Sequence, residues 1–229
     1  MSRVLSLILV VLVLPLAACA TKPMTDGERA NQLVRAAEMT FDKFQVSKDE
    51  PMDEYRKLLP KAEGIIILPG VIKGGFVLAA EGGSGVMLAR GADGTWSQPA
   101  FYFLAAGSVG LQAGAQVGDA VLLIFNRDAV QSIIDHQGKL GADLGLVVGT
   151  IGAGVEASTT TNVGADVMVF TQGIGVFAGG SLEAAALVKR TDFNTAFYGE
   201  PLQPGEIVFQ GRGENAAADS LRAKLAAPR

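Results

Sequence analysis

The chain of 229 residues contains one cysteine and one histidine. A lone thiol, Cys19, has no partner for a disulfide within the chain. A lone imidazole, His136, removes most metal sites and nearly all Ser-His and Cys-His catalytic arrangements. Charge is sparse as well: 18% of residues are charged, against ~25% in typical soluble domains. The net charge of −4 argues against a nucleic-acid partner, because phosphate binding is driven by clustered Lys and Arg. No apolar run reaches the ~20 residues that a membrane-crossing helix needs.

Other catalytic signatures are missing too. Gly82-Gly83-Ser84-Gly85 lacks the Gly-Lys-Ser/Thr ending of a phosphate loop and reads as a hairpin turn. Asp119, Asp128, Asp135, Asp143 and Asp166 are scattered, without the dense spacing of a calcium loop. His136 falls near the end of a predicted helix, where it reads as a cap or surface residue. The sequence therefore predicts neither an enzyme nor a bound cofactor or metal.

What the chain does have begins at its amino terminus. Arg3 precedes Val4 to Leu16, apolar except for Ser6 and Pro15, and Leu16-Ala17-Ala18-Cys19 follows. This is the layout of an export signal, and its end resembles a bacterial lipobox. Cysteine suits that role because a thiolate can be alkylated by a diacylglyceryl group to a stable thioether. The expectation is a lipoprotein signal peptide over 1–18, a lipidated tether over 19–25 and a single domain over 26–229. Two or three acyl chains on Cys19 would anchor the chain stably without spanning the bilayer. Ala20, rather than Asp, follows Cys19, and by resemblance to Gram-negative lipoproteins this implies the periplasmic face of the outer membrane.

Thr25-x-x-Glu28 is a capping box that predicts the start of a helix. Ala30, Leu33, Val34, Ala37, Phe41 and Phe44 then recur at helical spacing, making it amphipathic. A second short helix is predicted from Met52 to Leu59, a third over Arg127 to His136 and a last one over Ala216 to Ala226. Between them lie short apolar runs: Ile65 to Leu68, Gly75 to Ala80, Val86 to Arg90, Ala100 to Ala105, Ala120 to Phe125, Leu144 to Val148, Val167 to Thr171, Val176 to Ala178 and Leu182 to Val188. These read as strands, with a hairpin turn at Asp93-Gly94. With 29 glycines, some spaced four apart (110, 114, 118 and 141, 145, 149), the strands can bend sharply. The expected fold is α+β, mainly β: a strongly curved antiparallel sheet or small barrel with N-terminal amphipathic helices and a few short flanking helices.

Nine phrases in one order, "AEGIIILP" (62–69), "IKGGFVLA" (72–79), "GSGVMLAR" (83–90), "GTWSQPAF" (94–101), "SVGLQAGAQ" (108–116), "DAVLLIFN" (119–126), "LGADLGLVVG" (140–149), "GVFAGGSLEAAAL" (175–187) and "NTAFYG" (194–199), resemble the SYLF domain family over roughly residues 30 to 200. The resemblance implies a non-enzymatic, lipid-binding module. Eukaryotic members bind phosphoinositides and some bind actin filaments, whereas bacterial members are often lipoproteins. Membrane phospholipid is thus the expected partner, and actin is not expected for a bacterial member. Two positions depart from the family pattern: Gly149-Thr150-Ile151-Gly152-Ala153 replaces Gly-Pro-x-Gly-Arg, and Gln172 and Ile174 stand where a basic residue is common. Both losses remove cations that would favour phosphoinositides.

The candidate lipid-contacting residues are Phe41 and Phe44, entering a headgroup layer, with Lys43, Lys57, Lys61 and Lys73 meeting its charge. Two readings stand for the apolar stripe, which either contacts lipid or caps the core of the sheet. Lys73 is likewise either a headgroup contact or a sheet-edge charge. The alternative function is a lipid-anchored envelope scaffold that binds another protein.

Overall fold

The computed structural model describes residues 22–75, 78–109, 114–136, 148–151, 164–173 and 185–227. Cys19 and the signal segment lie outside them, as do most of the strand expected over 144–148, all of that over 176–178 and the start of that over 182–188.

Helix α1 (Asp26–Val46) starts where its capping box requires. The Thr25 side chain accepts from Glu28 N–H, while Glu28 accepts from Thr25 N–H at 2.7 Å, satisfying two amides that have no partner within the helix. α2 (Glu50–Leu58) follows, with Pro51 in its first turn, where a missing N–H costs nothing. The strands are β1 (Gly64–Gly75), β2 (Leu78–Ala89), β3 (Ala100–Val109), β4 (Gly114–Ile124), β5 (Val148–Ile151), β6 (Val167–Gly173) and β7 (Ala186–Lys189). The remaining helices are α3 (Arg127–Asp135), α4 (Thr191–Tyr198), α5 (Pro204–Val208) and α6 (Asp219–Ala226).

The seven strands form one sheet in the order β5-β6-β4-β1-β2-β3-β7. All neighbours are antiparallel except β5 and β6. Among the described residues no ladder joins β5 to β7, so the sheet is open and the small-barrel alternative is not realised. Helices cover both faces. One core holds Ile65, Ile67, Val86, Leu88, Val121 and Leu123 under α1, α2, α4 and α6. The other holds Ile66, Leu68, Met87, Leu122 and Ile124 under α3 and α5. Cover on both sides explains why Ile65-Ile66-Ile67-Leu68 is an unbroken apolar run, with every residue fully buried.

A β-bulge at Pro69-Gly70 sets which face the rest of β1 presents. Against β4, Leu68 pairs with Ala120 and Val71 with Gly118, so β1 carries one extra residue. Gly70 takes φ +63° there, a conformation other residues adopt at a cost. The bulge turns Val71 to the α3 side and leaves Ile72 on the α1 side.

Gly82-Gly83-Ser84-Gly85 is not a hairpin turn. It runs through the middle of β2, which stays paired with β1 out to Gly75 opposite Ala79. These glycines serve close approach. A Cβ on Gly85 would press into the Ile67 carbonyl oxygen, and one on Gly83 would lie 3.1 Å from Val71 Cα. The Asp93-Gly94 turn forms as expected, with Gly94 at φ +82°, and the ladder reopens at the Arg90–Trp96 bridge.

α4 and α5 were not legible in the sequence, being short and weakly patterned. α4 explains two of the recurring phrases. Asn194, fully buried, accepts from Phe101 N–H at 3.0 Å, and Tyr198 Oη donates to Pro99 O at 2.6 Å. "NTAFYG" thus clamps the start of β3, which "GTWSQPAF" supplies, and Gly199 at φ +75° ends the helix.

Candidate functional site

The apolar face of α1 is buried from Ala30 to Phe44 while its other faces are exposed, and its last turn reaches the bulge of β1. The Lys43 ammonium lies 2.8 Å from Asp119 Oδ2 on β4, and the other Asp119 oxygen accepts from Gly70 N–H at 2.9 Å. One carboxylate therefore fixes both the end of α1 and the bulge of β1. A lysine in a last helical turn also meets the negative end of the helix dipole.

Next to it, Gln172 of β6, the ladder partner of Asp119, donates to Ser47 Oγ at 2.7 Å and to Asp49 Oδ2 at 3.0 Å. The hydrogen bonds that Asp49 accepts from Gln172 and from Ser47 Oγ hold its carboxyl below its ordinary value of 3.8. Gln172 stands where a basic residue was expected, and it spends its amide on the junction between α1 and α2.

One pleat beyond Asp119, on the same sheet face as α1, Val117 pairs with Ile72. They are 57% and 58% exposed, and Val46, between Lys43 and Ser47, is 65% exposed. Single exposed apolar residues are ordinary on protein surfaces. Three gathered around one helix end and the adjoining ladder make a patch of the kind that marks interaction surfaces. Lys43 and the exposed Lys48 flank it.

The sequence-predicted residues do not converge. Phe41 and Phe44 are 1% and 0% exposed, packed in the core between α1 and the sheet. Phe44 meets Tyr55 edge-on at 5.6 Å, and Tyr55 in turn meets Phe170 of β6 at 5.5 Å. Of the two readings of the apolar stripe, core capping is the one realised. Neither ring can enter a headgroup layer while α1 stays on the sheet. Lys57 is exposed, 3.9 Å from Glu54, and Lys61 is exposed just before β1. Lys73 lies nine residues along β1 from its start, ~30 Å at ~3.3 Å per residue, at the opposite end of the sheet. It is not an edge charge, since β1 is paired on both sides; half-buried, it stands across from Glu81 of β2 and Gln116 of β4. Only Lys43 belongs to the exposed patch.

Sequence reasoning missed Val46, Ile72, Val117 and Asp119. Their signal is the register of β1 against β4 after the bulge, which no single segment reveals.

The family profile described as "Ysc84: Las17-binding protein actin regulator" matches residues 105–227. The chain belongs to this family, that of the SYLF domain. It is 34% identical over 165 residues to "SH3 domain-containing YSC84-like protein 1" of Homo sapiens, covering 72% of this chain and 48% of that protein. It is also 34% identical over 158 residues to "LAS seventeen-binding protein 3" of Saccharomyces cerevisiae (strain ATCC 204508 / S288c), covering 68% of this chain and 34% of that one. The chain thus spans about half the length of the first relative and a third of the second. The family description names a binding protein and an actin regulator. Among the described residues of this SYLF chain, no group of three or more His, Cys, Asp or Glu could hold a metal ion, and no helix is long and apolar enough to cross a membrane.

Proposed function

We propose that this SYLF domain binds phospholipid bilayers without catalysis, through the patch at the end of α1. Val46, Ile72 and Val117 enter the headgroup layer shallowly while Lys43 and Lys48 stay at phosphate level. The observation that carries the reading is the exposed Ile72–Val117 pair beside Lys43, where the other large apolar side chains among the described residues are mostly buried. Each lysine near an anionic surface adds ~1 kcal/mol. Asp49 and Asp119 are already engaged by Gln172, Ser47, Lys43 and Gly70. Insertion is therefore expected to matter more than net charge, in keeping with the two missing cations.

The same proposal places the chain on the periplasmic face of a bacterial outer membrane, held there through a lipidated Cys19. Metabolic labelling with radioactive palmitate tests that part: label in the parent and none in Cys19→Ser supports it, and label in Cys19→Ser rejects it. Co-sedimentation of residues 24–229 with vesicles tests lipid binding. Retention on phosphatidylglycerol-containing vesicles, weaker on phosphatidylcholine alone, is expected; no retention on either would favour the second reading. That reading, a lipid-anchored scaffold for a protein partner, draws on the family description as a Las17-binding protein.

A further inference from the structure

Among the described residues six large apolar side chains are exposed: Met24, Met39, Val46, Ile72, Val117 and Val188. All six lie on one side of the molecule. Met24 precedes α1, and Met39 and Val46 belong to it. Ile72 and Val117 stand on the sheet face that α1 covers. Val188 shares that face, because its neighbour Leu187 points into the core under α3 and side chains alternate along a strand. The described residues leave no such side chain exposed on the face under α3 and α5.

α1 runs across the strands rather than along them. Near its start, a Cβ on Gly27 would lie 3.3 Å from Ala196 O of α4, and Phe193 and Phe197 of α4 pack on Phe101 of β3. At its end, Lys43 meets Asp119 of β4 and Ser47 meets Gln172 of β6. The exposed apolar residues follow that path, with Met24 and Val188 of the edge strand β7 toward its start and Val46, Ile72 and Val117 at its end.

Charge along the helix suits an anionic surface. Its acidic side chains are engaged: Asp26 with Arg29, Glu28 in the capping box, Glu38 and Asp42 with Lys224. The exposed Arg35 and, just past the helix, Lys48 have no ion pair among the described residues. Single apolar side chains spread along a helix of ~30 Å fit a fluid surface better than a shaped protein partner, whose contact core is contiguous and closely packed. The anchor is near as well: Cys19 lies six residues before Thr25, at most ~20 Å of extended chain.

Building on the lipid patch and the lipidated Cys19 proposed above, we infer that α1 lies parallel to the bilayer that holds its own anchor, so that the domain binds the anchoring leaflet along the whole helix. An upright α1 would carry the patch ~30 Å away from the anchored end, toward a facing membrane. A flat one brings Val188, Met39 and Ile72 to the headgroups together, and makes anchor and domain two linked contacts on one surface.

The lipidated mature protein, reconstituted in phosphatidylglycerol-containing vesicles, tests this. Lipid occupies the Cys19 thiol, so Met39→Cys, Ile72→Cys and Val188→Cys each accept one nitrobenzoxadiazole label, with Gln131→Cys on α3 as the reference in water. Labels at 39, 72 and 188 should all be bluer and at least twofold brighter than the label at 131, and protein-free vesicles added in excess should not cluster with the loaded ones. A shift at 72 without one at 39 and 188 would overturn the flat orientation and leave the patch standing. No shift at any of the three would overturn both. Clustering of added vesicles would put the bound surface on a facing membrane and overturn the shared leaflet. A mature protein without lipid on Cys19 would overturn it too, with the patch still tested by co-sedimentation.

Discussion

Asp119 receives Lys43 on one oxygen and the Gly70 amide on the other, so a single carboxylate on β4 ties the end of α1 to the bulge of β1. Removing it with Asp119→Ala takes away a charge-assisted hydrogen bond and an ion pair half open to solvent. A loss of about 1–2 kcal/mol is expected from the hydrogen bond, with little added by the screened pair. Urea unfolding measures it. Asp119→Asn keeps an acceptor for Gly70 and releases Lys43, so it should cost less stability and raise affinity for anionic vesicles severalfold. Unchanged affinity would separate Lys43 from lipid contact.

The apolar stripe of α1 holds the fold together. Phe44→Ala should cost about 3–5 kcal/mol, the range for emptying a buried aromatic site, read as a lowered unfolding midpoint. Where the variant remains folded, its vesicle binding should match that of the parent. A stable Phe44→Ala protein that no longer binds vesicles would return the stripe to the membrane.

Gly85→Ala tests the close approach of β1 and β2. The new Cβ meets the carbonyl oxygen of Ile67, backbone that cannot turn aside as a side chain would. Overpacking of this kind costs about 1–3 kcal/mol or more. A neutral result by thermal unfolding would show that the two strands are further apart.

These glycines show where sequence reasoning stops. Gly82 to Gly85 reads as a turn because glycine permits one, yet a strand against which another backbone packs needs glycine equally. The helix stripe has the same ambiguity: helical spacing establishes that one face of α1 is apolar, not what covers it. The capping box, the Asp93-Gly94 turn and the strand over Ile65 to Leu68 were legible because each is decided within a few residues. Ile72 and Val117 were not, since their exposure depends on a bulge and on pairing between strands more than forty residues apart.

Acid should loosen α6 first. Lys224 lies 2.6 Å from Glu38 and 2.5 Å from Asp42, joining α6 to α1. Burial pushes the Glu38 carboxyl up, but hydrogen bonds from Lys224 and Ser220 outweigh it and hold the group below its ordinary 4.5. A carboxyl held low contributes stability above its unfolded value and loses it as pH falls through the folded one. Amide exchange in α6 should therefore accelerate as pH drops below about 4.5, after correction for intrinsic rates, while β1 and β4 keep their protection. Equal loss in all three elements would point to global unfolding instead.

The placement of the membrane contact is tested most directly by an environment-sensitive dye. Residues 24–229 contain no cysteine, so Ile72→Cys and Lys57→Cys each accept a single nitrobenzoxadiazole label. On phosphatidylglycerol vesicles the label at 72 should shift to the blue and brighten as it leaves water, while the label at 57 should not change. A shift at 57 with none at 72, in protein that sediments with the vesicles, would contradict the proposed surface.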